Sequence, residues 1–375
     1  MLRRRISWVA ILSILALVLA ACGGDTAATS TTAAPETTTT AAPTTTAGDG
    51  GETTTTTEPE LVPESDTLRL IIDTLPDFAN ANRYVWVEML EERFGALGVE
   101  VEVSILEGSD SALRAVVANQ ADFNIGSLGA AVRLIAAADE GVKVIASDGE
   151  RTTYVLLARE GIESLDDLVG GTIGIRLPGD AGDVVTRAAL DAAGFDLSQV
   201  QFVEVGGTSA RIAALVSGQI DLGAAHIAEA TAAIAASPGL TPLMFAADVM
   251  PPWIQSGLVA RDDWLETHPV MAQMVVDALV DTNRWITDNP EEFAEYTKIA
   301  LPEEDMDDAT RLEAIMELIR IGFYPVNGGI SPEVVESFIE VEVSTGGLEA
   351  DNVPPAEQWV DRTFLDDYLA RNGTR

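Results

Sequence analysis

The chain has 375 residues and carries 60 acidic against 22 basic side chains, a formal net charge of −38. That balance excludes nucleic acid as a partner, because affinity for a phosphate backbone is drawn from clustered Lys and Arg. A single cysteine permits no intramolecular disulfide and no thiolate cluster, and with only His226 and His268 a zinc site of His and Cys lacks ligands, so no cofactor or metal is called for, although carboxylate sites for calcium stay arithmetically open.

Residues 1–22 open with three arginines in MLRRR, and Ile6 to Ala21 follows without a charge, interrupted only by Ser7 and Ser13. This is the shape of a sorting signal, and the run is short for a spanning helix, which needs about 20 apolar residues. It ends in Leu19-Ala20-Ala21-Cys22-Gly23, which resembles a bacterial lipobox. The resemblance implies cleavage before Cys22, lipidation of Cys22 and anchoring to the outer face of the cell membrane; an ordinary secretory signal is the plainer alternative. Residues 23–64 are almost wholly Thr, Ala, Pro, Gly and Glu, with Thr runs at 37–40 and 53–57. Such a stretch buries too little apolar area to offset its ordering entropy and reads as a disordered tether, with a composition that permits O-glycosylation. The charge belongs to the rest, which keeps 53 acidic and 19 basic side chains.

From Leu68 onward short apolar runs alternate with amphipathic stretches, the signature of an α/β fold. Strands are predicted at 68–72, 99–106, 123–127, 141–147 and 152–159, with helices at 83–97, 111–120 and 129–139. A second series has strands at 172–177, 200–205 and 220–225 and helices at 180–193 and 208–217. The unit Ala112–Gly126 resembles Ala210–Ala224: each is an Ala-rich helix, a Gln, an Asp and then a strand, one βαβ corner in each of two lobes. Val155–Arg159 and Gly257–Arg261 bracket the second series and read as the strands that cross between lobes. The expected domains are therefore 65–156 with 258–375 as lobe 1, and 157–257 as lobe 2. Helical spacing at 264–286, 309–323, 332–343 and 358–370 predicts support packed behind lobe 1 and the hinge. The acidic run 303–308 lacks the glycine and spacing of a calcium loop and reads as a solvated face.

The order and spacing of Ala112–Gly126, Glu163–Gly170, Ala189–Gly194, Ile212–Asp221, Leu258–Glu266 with His268-Pro269, Trp285–Glu292 and Val360–Leu365 resemble the substrate-binding proteins of ABC importers, in the nitrate, sulfonate/taurine and thiamine-precursor branch. The likeness runs over about residues 67–371. It implies a type II periplasmic-binding fold of two lobes, each a mixed sheet flanked by helices. It also implies a monomer that closes on a small-molecule solute and delivers it to an ABC permease and its ATPase, without being an enzyme. A ligand receptor for a sensor partner, or a cleft enzyme of pyrimidine-precursor synthesis, are the alternatives.

Ligands in open α/β sheets sit beyond the carboxyl ends of the strands. In the first lobe that rule selects Leu75, Asp77, Phe78, Asn80, Gly108, Ser109, Ser127 and Leu128. In the second it selects Asp180, Ala181, Gly182, Asp183, Gly207, Thr208 and His226, and Trp253 precedes the returning strand as an aromatic wall. Each has a structural alternative: Ser109 to Ser111 and Asp180 with Asp183 as helix caps, His226 as a satisfied core histidine, Trp253 and Phe78 as ordinary packing. Sulfonate and nitrate binders of the branch show Gly-Ser-Thr where this chain has Gly179-Asp180-Ala181, and Trp-Glu-Pro where it has His226-Ile227-Ala228. A carboxylate there repels an oxyanion, so the departures favour a neutral or cationic, nitrogen-bearing solute, with Arg83, Arg151 and Arg176 as potential counter-charges.

Overall fold

The computed structural model describes residues 61–375 except Pro76, 139–140 and 303–305. The sorting signal, Cys22, nearly all of the tether and the first half of the acidic run at 303–308 lie outside the described residues. The strands are β1 (Thr67–Ile72), β2 (Glu100–Ile105), β3 (Phe123–Ser127), β4 (Val142–Gly149), β5 (Tyr154–Ala158), β6 (Thr172–Ile175), β7 (Gln201–Glu204), β8 (Leu222–His226), β9 (Thr241–Phe245) and β10 (Ser256–Arg261). They form two five-stranded sheets, in the orders β2-β1-β3-β10-β4 and β7-β6-β8-β5-β9. In each sheet one strand runs antiparallel to both of its neighbours: β10 between β3 and β4, and β5 between β8 and β9. The two-lobed periplasmic-binding architecture follows from this exchange, because each lobe takes its antiparallel strand from the far side of a crossing.

Alternation along β1 explains how the first sheet is covered. Leu68, Leu70 and Ile72 pack on Trp86, Leu90 and Phe94 of α1 (Ala81–Gly95), whereas Ile71 faces the opposite way onto Ala112, Ala115 and Val116 of α2 (Ser109–Val117). At the sheet's edge β2 is exposed at nearly every position, and Glu100 and Glu102 guard it against pairing with another chain. The remaining helices of this part are α3 (Leu128–Ala138), α4 (Ala181–Ala192), α5 (Thr208–Val216), α6 (Ile227–Ala236) and α7 (Ala246–Val249).

The repeated corner is geometrically real. Asp122 accepts the Arg69 amide at 2.7 Å and pairs with the Arg69 guanidinium; Asp221 accepts the Thr172 amide at 2.7 Å and pairs with Arg159. Asp122 pins β1 to the loop before β3, and Asp221 pins β6 to the loop before β8, in each case the first and third strands of a parallel series. The crossings fall slightly earlier than the apolar runs suggest. Tyr154 already pairs opposite His226 and Ser256 opposite Ser127, so the passages are 150–153 and 250–255, and boundaries at 156 and 257 would cut through β5 and β10.

Beyond β10 come α8 (Asp262–Thr267), α9 (Pro269–Asp288), α10 (Pro290–Ala300), α11 (Asp308–Arg320), α12 (Pro332–Ser344), α13 (Ala356–Trp359) and α14 (Thr363–Asn372). The predicted helix at 264–286 is two helices, because Pro269 has no amide to continue α8 and instead opens α9. Glu64 caps α9 by accepting the amides of Val270 at 2.8 Å and Met271 at 3.1 Å, so the last residue assigned to the tether is docked. The expectation that the C-terminal helices pack behind lobe 1 and the hinge is refined for one of them: Ala314, Ile315 and Leu318 of α11, with Phe293 of α10, join Ala230 and Ala233 of α6 in a core that also takes in Phe78 and Val85. Helices α9, α12 and α14 do return to the first sheet, burying Leu279, Phe338, Leu365 and Tyr368 there. Among the described residues no helix is long and apolar enough to cross a membrane.

Candidate functional site

At the carboxyl edge of the first sheet, Asp73 ends β1 and collects three donors: the Ser109 hydroxyl, the Ser127 amide at 3.2 Å and Arg83 Nη1 at 3.3 Å. Arg83 Nε also donates to Asp148 at 2.8 Å, and the Ser256 hydroxyl donates to the other oxygen of Asp148. Arg83, Asp73 and Asp148 are almost wholly buried. Arg83 is therefore a fixed member of a buried cluster and not a free counter-charge. Ser109 does not cap α2, whose N-cap is Gly108 at φ 99°, a backbone conformation that excludes a Cβ without strain.

Several predicted first-lobe residues take structural roles. Phe78 is 4% exposed and packs in the core shared with α6 and α11, and Leu128 is fully buried beneath the first sheet. Both apolar side chains are taken up by the cores beside them. Asp77 and Asn80 form a local turn in which the carboxylate accepts both the amide and the side-chain nitrogen of Asn80. Leu75 stands out from the loop between them and β1, half exposed. Ser127 accepts the Ala130 amide through its hydroxyl and so starts α3.

In the second lobe the loops after β6, β7 and β8 converge. Asp180 caps α4 by accepting the Asp183 amide at 2.8 Å. Asp183 is 3% exposed, accepts the Gly179 amide at 2.8 Å and pairs with Arg187 one turn on at 2.7 Å. Asp183 is thus satisfied inside its own helix, and of the two acids only Asp180 keeps a field over the cleft. Ala181 and Gly182 form the first turn of α4, where a Cβ on Gly182 would stand 3.9 Å from both Tyr154 and Arg211. Gly207 and Thr208 begin α5, and the Thr208 hydroxyl accepts from Arg211 Nη2 at 3.2 Å.

Arg211 and Tyr154 escaped the sequence reading. The Arg211 guanidinium also donates to the carbonyls of Gly206 and Ala224, both at 2.8 Å, is 4% exposed, and has no carboxylate partner among the described ion pairs. Its position, one residue into the Ala-rich half of the repeated corner, was the available signal. Tyr154 stacks on His226 with ring centroids 4.2 Å apart and planes 29° from parallel. Burial pushes the Tyr154 hydroxyl up to about 12, and burial also holds His226 below the ordinary imidazole range against the opposing pull of Asp77. The imidazole is therefore neutral. Its Nδ1 lies 2.7 Å from the Thr153 hydroxyl, leaving Nε2 without a described hydrogen-bond partner.

Trp253, in the second crossing, donates from Nε1 to Glu342 of α12 at 3.0 Å, and its amide donates to the Glu150 carbonyl of the first crossing at 3.1 Å. Burial raises the Glu150 carboxyl above its usual range. Two other cavities, of ≈ 300 and ≈ 420 Å³, lie at the opposite, amino-terminal edges of the sheets, beside Asp122 and Arg159 respectively. Arg69 and Arg159, which line them, are already paired with acids. Among the described residues no group of His, Cys, Asp and Glu could hold a metal ion.

The NMT1/THI5-like family profile matches residues 94–293. A binding protein of Brucella abortus, BAB2_1146, is 25% identical over 201 residues, 53% of this chain and 61% of that protein. The chain therefore spans less than two thirds of the length of the curated relatives it matches. Among solved structures, the periplasmic sulfonate-binding protein SsuA of Methylobacillus flagellatus superposes with a TM-score of 0.63 at 16% identity, covering 83% of this chain and 96% of that one. The nitrate-binding protein NrtA of Synechocystis gives 0.55 at 13% identity over 83% and 90% of the two chains. The ligand-binding component of an ABC-type import system from Staphylococcus aureus gives 0.61 at 12% identity over 81% and 99%. At these identities the likeness is one of fold.

Proposed function

The chain belongs to the NMT1/THI5-like family, and from that premise we propose that it is the extracytoplasmic solute-binding protein of an ABC importer, held to the membrane through lipidated Cys22 and the threonine-rich tether. It captures a small nitrogen-bearing organic solute, neutral or cationic, between its lobes and hands it to a permease. The observation that carries the reading is the Tyr154–His226 pair at the carboxyl end of β8, beside the first crossing. A flat nitrogen-bearing solute can stack on that face and exchange a hydrogen bond with neutral Nε2. Asp77, whose charge acts on His226, and Asp180, whose charge acts on Tyr154, bias the surroundings toward a solute without net negative charge. Binding is stoichiometric and not catalytic: the Thr153 hydroxyl beside His226 belongs to a residue only 1% exposed, out of reach of a substrate.

The test is thermal unfolding of the purified chain against pyrimidines, amines, amino-acid derivatives and sulfonates, since a solute at ~100 times its Kd adds about 2.7 kcal/mol. The reading expects a shift with a nitrogenous solute that His226→Ala and Tyr154→Leu remove. Turnover of the solute, or silence across the panel, overturns it. A second reading rests on Arg211, a buried cation without a described ion pair: a shift confined to sulfonates would mean that an acidic group docks there.

A further inference from the structure

The carboxylate of Glu342 occupies a place that the helical spacing of 332–343 marks only as support. It projects from α12, and the residue is 7% exposed. The chain clears room for it with two glycines. A Cβ on Gly129, where β3 gives way to α3, would stand 3.1 Å from Oε2, and one on Gly347 would collide with the same oxygen. Both lobes meet here: the preceding Val341 packs in the second-lobe core with Leu156 and Met250, Leu128 belongs to the first-lobe core, and Trp253 comes from the second crossing.

Oε1 accepts from Trp253 Nε1, but Oε2 has no described hydrogen bond. Its nearest cation, Arg133 Nη1, stands 3.7 Å away on a half-exposed side chain, beyond hydrogen-bond reach. A buried carboxylate held mainly by one neutral donor is costly, and burial accordingly raises its proton affinity while Trp253 and Arg133 only partly oppose the rise. Its own helix and the Gly347 turn bring no cation to the acid and α3 brings only Arg133, at the end of β3 where the fold receives ligands.

We infer that Glu342 is a specificity determinant of the cleft, its Oε2 receiving a positively charged nitrogen of the solute while the Trp253 indole lies alongside. This rests on the reading of the cleft as the solute site and narrows that reading from neutral or cationic to cationic. Carboxylate and indole together suit an ammonium or quaternary nitrogen, the acid through charge and the ring through its negative face.

The experiment titrates the full chain with choline, its uncharged dimethylbutanol isostere, agmatine and ethanesulfonate, following heat and unfolding temperature. Glu342→Gln keeps an oxygen to accept from Trp253 and removes only the charge. It is expected to unfold at the wild-type temperature and to bind the responding cation more weakly by on the order of tenfold to a hundredfold. Arg133→Gln, which removes the competing guanidinium, is expected to tighten the same cation, a change that a purely structural Glu342 would not produce. Equal cation affinity in wild type and Glu342→Gln, equal binding of choline and its isostere, or no response to either cation overturns the inference. Binding of the isostere or the sulfonate alone does so while leaving the solute-binding reading intact.

Discussion

A half-buried imidazole whose protonation is opposed by burial has a signature in pH. The unfolded chain protonates His226 near the ordinary value of about 6.5, whereas the folded chain resists until a lower pH. Stability is therefore undiminished above the unfolded value and falls as pH drops below it, because the unfolded state gains a proton that the folded state refuses, until the folded value is passed. His226→Gln is expected to flatten that acid slope, read as unfolding temperature from about pH 7.5 down to 5; an unchanged slope would mean that the ring takes up its proton equally readily in the folded and unfolded chain. Asp183 shows what chain order alone could reveal. An acid in the first turn of a helix with Arg187 four residues on is a visible pair, and the bonds to Arg187 and to the Gly179 amide give it the structural role that its place in the chain suggests. Asp180 divides its duty, capping α4 while its field reaches Tyr154 and Arg211.

Strands and their connecting helices were legible because period-two and period-3.6 patterns are local, and the Gln-x-Asp corner marks the same joint in both lobes through Asp122 and Asp221. What the pattern lacks is a destination. The amphipathic face of α11 is equally suited to either lobe, and only the small residues of α6, Ala230 and Ala233, make the groove it fills. Glu342 and Trp253 lie 89 residues apart, so no local period links them. Tyr154 reads in sequence as one more residue of an apolar strand, and its role comes from a partner contributed by β8. The packing of α11 carries its own test. Ile315→Ala deletes a fully buried side chain and should cost about 2 to 5 kcal/mol. Hydrogen exchange should then quicken in α6 more than in β1 to β4; equal loss in both places would mean that the helix does not belong to the second lobe.

At the scale of the whole molecule, two lobes share strands across passages at 150–153 and 250–255, and a solute that touches both favours the closed arrangement by its differential affinity. With Cys22 replaced by serine the chain has no other cysteine, so exposed Glu107 and Ser209 can each be changed to cysteine and labelled, one per lobe. A solute that stabilises the chain should shorten the distance between the labels, and an unaltered distance would rule out closure. The excursion of α11 onto α6 of the second lobe adds two further passages between the halves, since α9 before it and α12 after it pack on the first, and α10 reaches back to α1 through Tyr296 and Glu88. Neither half is then a contiguous stretch of chain. As the polypeptide emerges from the ribosome, α6 waits for residues beyond 308 before its groove is filled, and the first sheet waits for β10 and for helices up to 372. Neither lobe is complete until residues beyond 308 have been made, so the nascent chain stays unfinished, and available to whatever carries it, up to that point.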